Sequence, residues 1–207
     1  MATTYPITLS LANIRRIRFI PVSAVAGFRS PFTGQRQVFA HPNQSWRVEL
    51  DIAAMNRAEG DALTAQLLSL NGSYGTFYMG DPLYTTPRGV ATGTPLLNGA
   101  SQTGNTVITD GWTVSQTGIV KAGDWLQIGT GSTRQLVKVT ADANSDGSGN
   151  ATIEIWPRIR TAFGNNTAIT TSSPTGVFAM DSADSAAWEI DPDSLIKGIT
   201  VTAQEAF

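Results

Sequence analysis

The sequence predicts a mainly β chain with one packed α-helix. Three observations predict this. The 207 residues hold 26 Thr against three Lys, and Thr favours the pleated, half-buried positions of sheets. Segment after segment alternates apolar and polar residues at the strand period of two. A single segment spaces its leucines at the helical period.

Taken in order, Tyr5–Leu11 reads as a weak strand. Ile17 and Phe19 then alternate with Arg16 and Arg18. Gln35–Ala40 is a second weak strand. Trp46, Val48, Leu50 and Ile52 alternate with Arg47, Glu49 and Asp51, the pattern of a half-buried strand. Asn56 and Glu59 have the N-cap and N3 spacing of a capping box. Leu63, Leu67 and Leu70 follow at i, i+4 and i+7, one face of a helix. Asn71-Gly72 supplies the stop, so the helix is expected over about Arg57–Leu70, laid on a sheet. A further weak strand covers Tyr74–Met79.

From about Pro87 the texture changes. Residues 87–101 are rich in Gly, Pro, Thr and Ala. Short strands follow at Asn105–Thr109, Asp124–Ile128, Arg134–Thr140 and Ala151–Trp156, and another at Gly176–Asp181. Ala141–Asn150, with Asp146-Gly147, reads as a hairpin turn. Short, evenly spaced strands suggest a small barrel or sandwich. A weak strand at Ala187–Ile190 and an alternating one from Ile199 to Gln204 end the chain.

Charge divides by segment. Residues 1–47 hold six Arg and no acid, residues 183–207 hold five acids against Lys197, and residues 87–182 are balanced. The two ends are therefore expected to attract, with the C-terminal strands returning to the N-terminal part and the middle forming an insertion. The same complementarity could act head to tail between subunits of a ring. Arg15, Arg16, Arg18, Asp191 and Asp193 are the candidate subunit-interface residues.

Composition narrows the chemistry. The chain has no Cys and a single His, which excludes a disulfide framework, a thiolate zinc site, a cysteine nucleophile and a His-rich metal site. A formal charge of −2 argues against a general nucleic-acid binder, which carries a basic excess. No apolar run reaches the ~18–20 residues of a membrane helix. Met1–Ser10 lacks the basic start and apolar core of a secretory signal. Only 14% of residues are charged, against about 25% in soluble proteins. Such a surface suits a monomer poorly, which suggests that other subunits cover much of it.

Few residues offer a site. His41 sits beside Pro42 in an expected loop, with no nucleophile elbow around any Ser; an exposed or interface histidine is the plainer reading. Asp142, Asn144, Asp146 and Gly147 match the first half of a calcium loop. The twelfth position is Ile153 rather than Glu, so a polar hairpin loop is favoured and no metal is expected. Trp112, Trp125 and Trp156 suit core packing, while Trp112 and Trp156 are candidate ligand-stacking residues for sugars. Neither a cofactor motif nor a catalytic residue is identified.

The order of elements resembles the distal tail proteins of long-tailed, non-contractile bacteriophages (siphophages). The residues that carry the likeness are Ser30-Pro31-Phe32-Thr33-Gly34, the Trp46–Ile52 strand, the Asn56–Leu70 helix, Asn71-Gly72-Ser73-Tyr74-Gly75-Thr76-Phe77 and Gly80-Asp81-Pro82. The middle segment is similar to the subclass with an inserted OB-like domain, through Lys121-Ala122-Gly123-Asp124, Leu136–Thr140 and Ile153–Arg160. The resemblance implies a β-sandwich with one packed helix, residues 1–86 and 183–207, and an inserted OB-like small β-barrel, residues 87–182. It also implies a structural virion protein, not an enzyme, made in the host cytoplasm and placed at the tail tip or baseplate. There it would form a hexameric ring that joins the tail tube protein to the tail hub protein and leaves a channel through which DNA passes. The insert would project outward toward tail fibres or host-surface glycans, with no membrane insertion. The alternatives are a carbohydrate-binding module for host attachment, or another tail component such as a tube or terminator protein.

Overall fold

A computed structural model describes residues 3–11, 13–182, 187–192 and 195–207. The chain is mainly β, with one α-helix. The first strands are β1 (Ile7–Thr8), β2 (Ile14–Arg29), β3 (Arg36–Ile52) and β4 (Met55–Asn56), followed by helix α1 (Arg57–Ser69) and β5 (Thr76–Met79). The middle of the chain contributes β6 (Gly93–Leu97), β7 (Gly104–Trp112), β8 (Trp125–Ile128), β9 (Gln135–Val139), β10 (Ala151–Ile159) and β11 (Ile169–Thr170). The last strands are β12 (Gly176–Met180), β13 (Glu189–Ile190), β14 (Leu195–Lys197) and β15 (Thr200–Glu205).

Alternation fixes the first sheet, whose order is β1-β5-β12-β15-β3-β2. Val48 lies opposite Phe19 on one side and Ala203 on the other, and Leu50 opposite Ile17 and Val201. These apolar side chains share the inner face, where Val48, Leu50 and Val201 are almost wholly buried. A one-residue slip would turn the whole set outward, so the register is strongly specified. Arg16, Arg18, Glu49, Asp51, Thr200 and Thr202 take the opposite face.

Helix α1 covers that inner face together with a three-stranded sheet, β13-β14-β4. Asn56 caps the helix by accepting a hydrogen bond from the Glu59 N–H at 2.9 Å. Glu59 does not complete the reciprocal half; its carboxylate accepts from Asn13 at 3.4 Å. Leu63, Leu67 and Leu70 are buried among Phe77, Phe178 and Ile196. Burying each such side chain contributes about 1.5–3 kcal/mol. The helix ends one residue before the expected Leu70, and Asn71 and Gly72 take left-handed φ of 52° and 68°. Gly75 N–H closes the turn on the Leu70 carbonyl at 2.7 Å.

The middle segment forms a second six-stranded sheet, β11-β8-β9-β10-β7-β6. A bridge between Leu96 and Ala168 brings β6 back to β11, so the sheet nearly closes into a small barrel. Its interior is filled by Val107, Leu126, Ile128, Val137, Ile153 and Ile155, the inward half of each alternating strand.

Three features differ from the sequence reading. The strand at Gly176–Met180, expected to close the insert, instead lies between β5 and β15 in the first sheet. The chain therefore re-enters that sheet before residue 183. His41-Pro42, expected in a loop, lies within β3. Ser23 pairs with Gln44 and Val25 with Ala40, so residues 41–43 bulge opposite Ala24. A bulge tolerates Pro because no ladder donor is required there. Finally, β2 and β3 continue as one long hairpin well beyond the core.

Candidate functional site

The weakly charged chain concentrates its buried polar chemistry where the barrel meets the first sheet. Two buried carboxylates hold this junction. Asp124, wholly buried, accepts hydrogen bonds from the N–H groups of Arg88 at 2.8 Å, Gly89 at 3.0 Å and Lys121 at 2.8 Å. It thus fixes the strap that leads from the first sheet into the barrel. Burial, and then the Asp124 charge, push the nearby Tyr84 phenol above its usual pKa.

Glu205, at the end of β15, lies 2.6 Å from the Arg160 guanidinium and accepts from the Trp46 N–H at 3.2 Å. Burial pushes its carboxyl above the usual range, against the opposing pull of Arg160 and the Trp46 N–H. Arg160 also donates to the Gln44 carbonyl. The Gln44 side chain in turn accepts from the Arg158 N–H at 2.9 Å and the Asn105 amide at 3.1 Å.

Aromatic rings fill the rest of this junction. Trp46 of β3 packs against Trp125 with ring centroids 4.9 Å apart and against Trp156 at 4.4 Å. Phe19 lies 5.0 Å from Trp125. The Trp46 indole N–H donates to the Leu136 carbonyl at 3.2 Å. Edge-on and tilted ring contacts of this kind, with the Trp46 N–H satisfied, give an oriented junction. The barrel is thereby tied to the root of the β2–β3 hairpin.

Past that root the hairpin becomes an unsupported arm. Val25 and Val38 lie on one face of the ribbon, and Phe28 and Phe39 on the other, as their pairing dictates. Phe28 and Phe39 are each 64% exposed, and Phe32 at the tip is 96% exposed. Arg29 and Arg36 face each other across the ribbon near the tip. A two-stranded ribbon with no core on either face is marginal alone in water, and like charges directly opposite each other destabilise it further. The arm has the form of a binding element.

Arg15 is the extra residue of a bulge between Ile14 and Arg16, so all three arginines are exposed. Arg16 lies opposite Asp51, and Arg18 pairs with Glu49 at 3.3 Å. Arg47 pairs with Asp181 at 2.9 Å. Asp191 accepts from Lys197 at 2.6 Å, and Asp193 falls outside the described residues. In these pairs Arg16 and Arg18 meet acids of the neighbouring strand β3, Arg47 reaches across to Asp181 just past β12, and Glu205 pairs with Arg160 of the barrel rather than with an N-terminal arginine.

Trp112 is 4% exposed and donates from its indole to Thr109 Oγ1 at 2.8 Å inside the barrel. It presents no face to a sugar, which corrects its place among the stacking candidates. Trp125 is buried and Trp156 half-buried against Trp46. His41 is exposed, edge-on to Phe39 at 4.7 Å. The calcium-like loop turns its oxygens to backbone N–H groups, those of the neighbouring 118–122 segment and of its own turn. Asp142 accepts from Ala122 N–H at 2.8 Å, and Asn144 from Gly118 N–H at 2.7 Å. Asp146 accepts from the N–H groups of Ser148 and Asn150, both at 2.8 Å. Those two bonds hold its carboxyl below the usual range.

One further surface escaped the sequence reading. A cleft of about 190 Å³ lies beside the end of β5, walled by Leu11, Tyr78, Met79, Pro82 and Pro174, with Asp81 on its rim. Next to it Leu83 is 88% exposed. Nothing in the spacing of these residues signals a cleft, because three separate segments build it.

Among the described residues no three His, Cys, Asp or Glu side chains group to hold a metal, and no helix is long and apolar enough to cross a membrane. In comparisons with known proteins, the sequence matches no family model and no curated protein.

Proposed function

We propose that this chain is a structural, ring-forming adaptor of a phage tail tip. Copies of it would assemble into a hexameric ring between tail tube and tail hub, with DNA passing along the axis. In this reading function resides in interfaces rather than in a catalytic group.

The observation that carries the proposal is the β2–β3 arm. It extends past the core with Phe28, Phe32 and Phe39 in solvent, and exposed apolar patches of this kind mark association sites. Two further features support it. The low content of Lys and Glu eases burial of the surface, since both are depleted at interfaces. The Arg160–Glu205 and Trp46–Trp156 contacts hold the barrel in a set orientation, as a rigid ring component requires.

The test is direct. Antibody labelling of purified virions is expected to mark the tail tip, at the junction of tube and hub. Label along the whole tube, at the head–tail joint, or nowhere on the particle would overturn the proposal.

A further inference from the structure

The arm and the cleft beside β5 lie on opposite sides of the same sheet. The arm grows from β2 and β3, at one edge, while the cleft is built around Leu11, the end of β5 and the segment entering β12, toward the other. The two edges are about 24 Å apart at the usual inter-strand spacing. A protruding element on one side and a recess on the other are different surfaces. Joined between copies, they make a heterologous contact, which closes into a ring or runs on as a filament.

Their chemistry is complementary. The arm tip offers Phe32, almost fully in solvent, flanked by Arg29 and Arg36. Neither arginine has an acidic partner among the described residues. The cleft offers mainly apolar walls, with Ser173 and Thr175 and with Arg134 held over the Tyr78 ring at its border, and the Asp81 carboxylate, which also has no ion-pair partner among the described residues. Among the described residues its carboxylate accepts one local hydrogen bond, from the Leu83 N–H at 3.0 Å. Charge over the whole chain points the same way. Residues 20–44 hold two of the 14 Lys and Arg and no acid, which leaves 12 against 16 Asp and Glu elsewhere, a formal −4. The arm therefore meets net opposite charge on a second copy of its own chain.

We infer that the arm tip of one copy seats Phe32 in the β5 cleft of the next, with Arg29 or Arg36 against Asp81. This deepens the ring proposal, on which it rests, by naming the donor and acceptor surfaces. Seating Phe32 removes a large ring from water, and the arginines would find the counter-charge they lack within the arm.

Three variants of the full chain test it: Phe32→Ser, Asp81→Arg, and Arg29→Asp with Arg36→Asp. All change exposed or rim side chains, so unchanged circular dichroism and melting would show that each still folds. Each alone is expected to lose the assembled species in mass photometry. A mixture of Phe32→Ser and Asp81→Arg chains retains one intact arm and one intact cleft per pair. It is expected to give a dimer that cannot grow. Joining Arg29→Asp and Arg36→Asp with Asp81→Arg in one chain should restore assembly. Wild-type monomers, or rings that ignore all three substitutions, would overturn the contact; in the latter case the ring proposal stands. Open filaments abolished by the same substitutions would support the contact and count against the closed ring.

Discussion

Arg160, just past β10 of the barrel, sits 2.6 Å from Glu205 at the end of β15, and both side chains are at least nine-tenths buried. The barrel and the first sheet thus share a largely buried ion pair. Arg160→Met leaves the Glu205 charge without its partner, at a cost of about 3–5 kcal/mol. Replacing both residues by well-packed apolar ones is expected to recover most of that loss. Urea denaturation of the single and double variants checks this; equal losses in the two would contradict it.

Gly60 lets α1 approach β14 closely. A Cβ there would lie 2.6 Å from the Ile196 Cβ. Gly60→Ala is expected to destabilise by about 1–3 kcal/mol through overpacking, outweighing a helix-propensity gain of at most ~1 kcal/mol. In an Ile196→Ala background the penalty should shrink. Thermal melts of the four chains complete the double-mutant cycle.

Asp146 gives an acid-side pH dependence. Hydrogen bonds from Ser148 and Asn150 lower its folded pKa, so the unfolded state binds its proton more readily. Its contribution is present above the unfolded carboxylate pKa and is lost as pH falls through the lower folded value. Asp146→Asn should therefore be less stable than wild type at neutral pH, with the difference closing in acid. A constant difference across the titration would refute this assignment.

Trp112→Ala is expected to cost about 3–5 kcal/mol as a buried aromatic truncation. Glycan-array signal should be no different between wild type and this variant. A well-folded Trp112→Ala chain that loses sugar binding would reinstate the stacking role.

Much of the fold was legible because it follows from packing. Trp46–Ile52 alternates since one face of β3 meets the core, and the leucines of α1 are spaced by the layer they cover. The Asn56 cap and the Asn71-Gly72 stop are local chemistry, readable within a few residues. The arm was not legible beyond Gln35–Ala40, because neither of its faces packs on the chain and no period is imposed. His41-Pro42 looked like a loop since Pro breaks a ladder, and only the bulge opposite Ala24 admits it. The Gly176–Met180 strand was visible as a strand, but its partners, β5 and β15, are set by long-range pairing. Opposite charge at the chain ends suggested pairing, yet Arg18 and Arg47 find nearer acids in Glu49 and Asp181. The β5 cleft joins segments distant in sequence, so no motif announced it.

A chain that works by self-assembly at a tail tip must form a closed species on its own. Mass photometry of the purified chain over a concentration series, with negative-stain images of the same samples, tests it most directly. Closed rings of uniform size, with an axial opening, are expected. Monomers at every concentration, or irregular aggregates without a closed species, would contradict it.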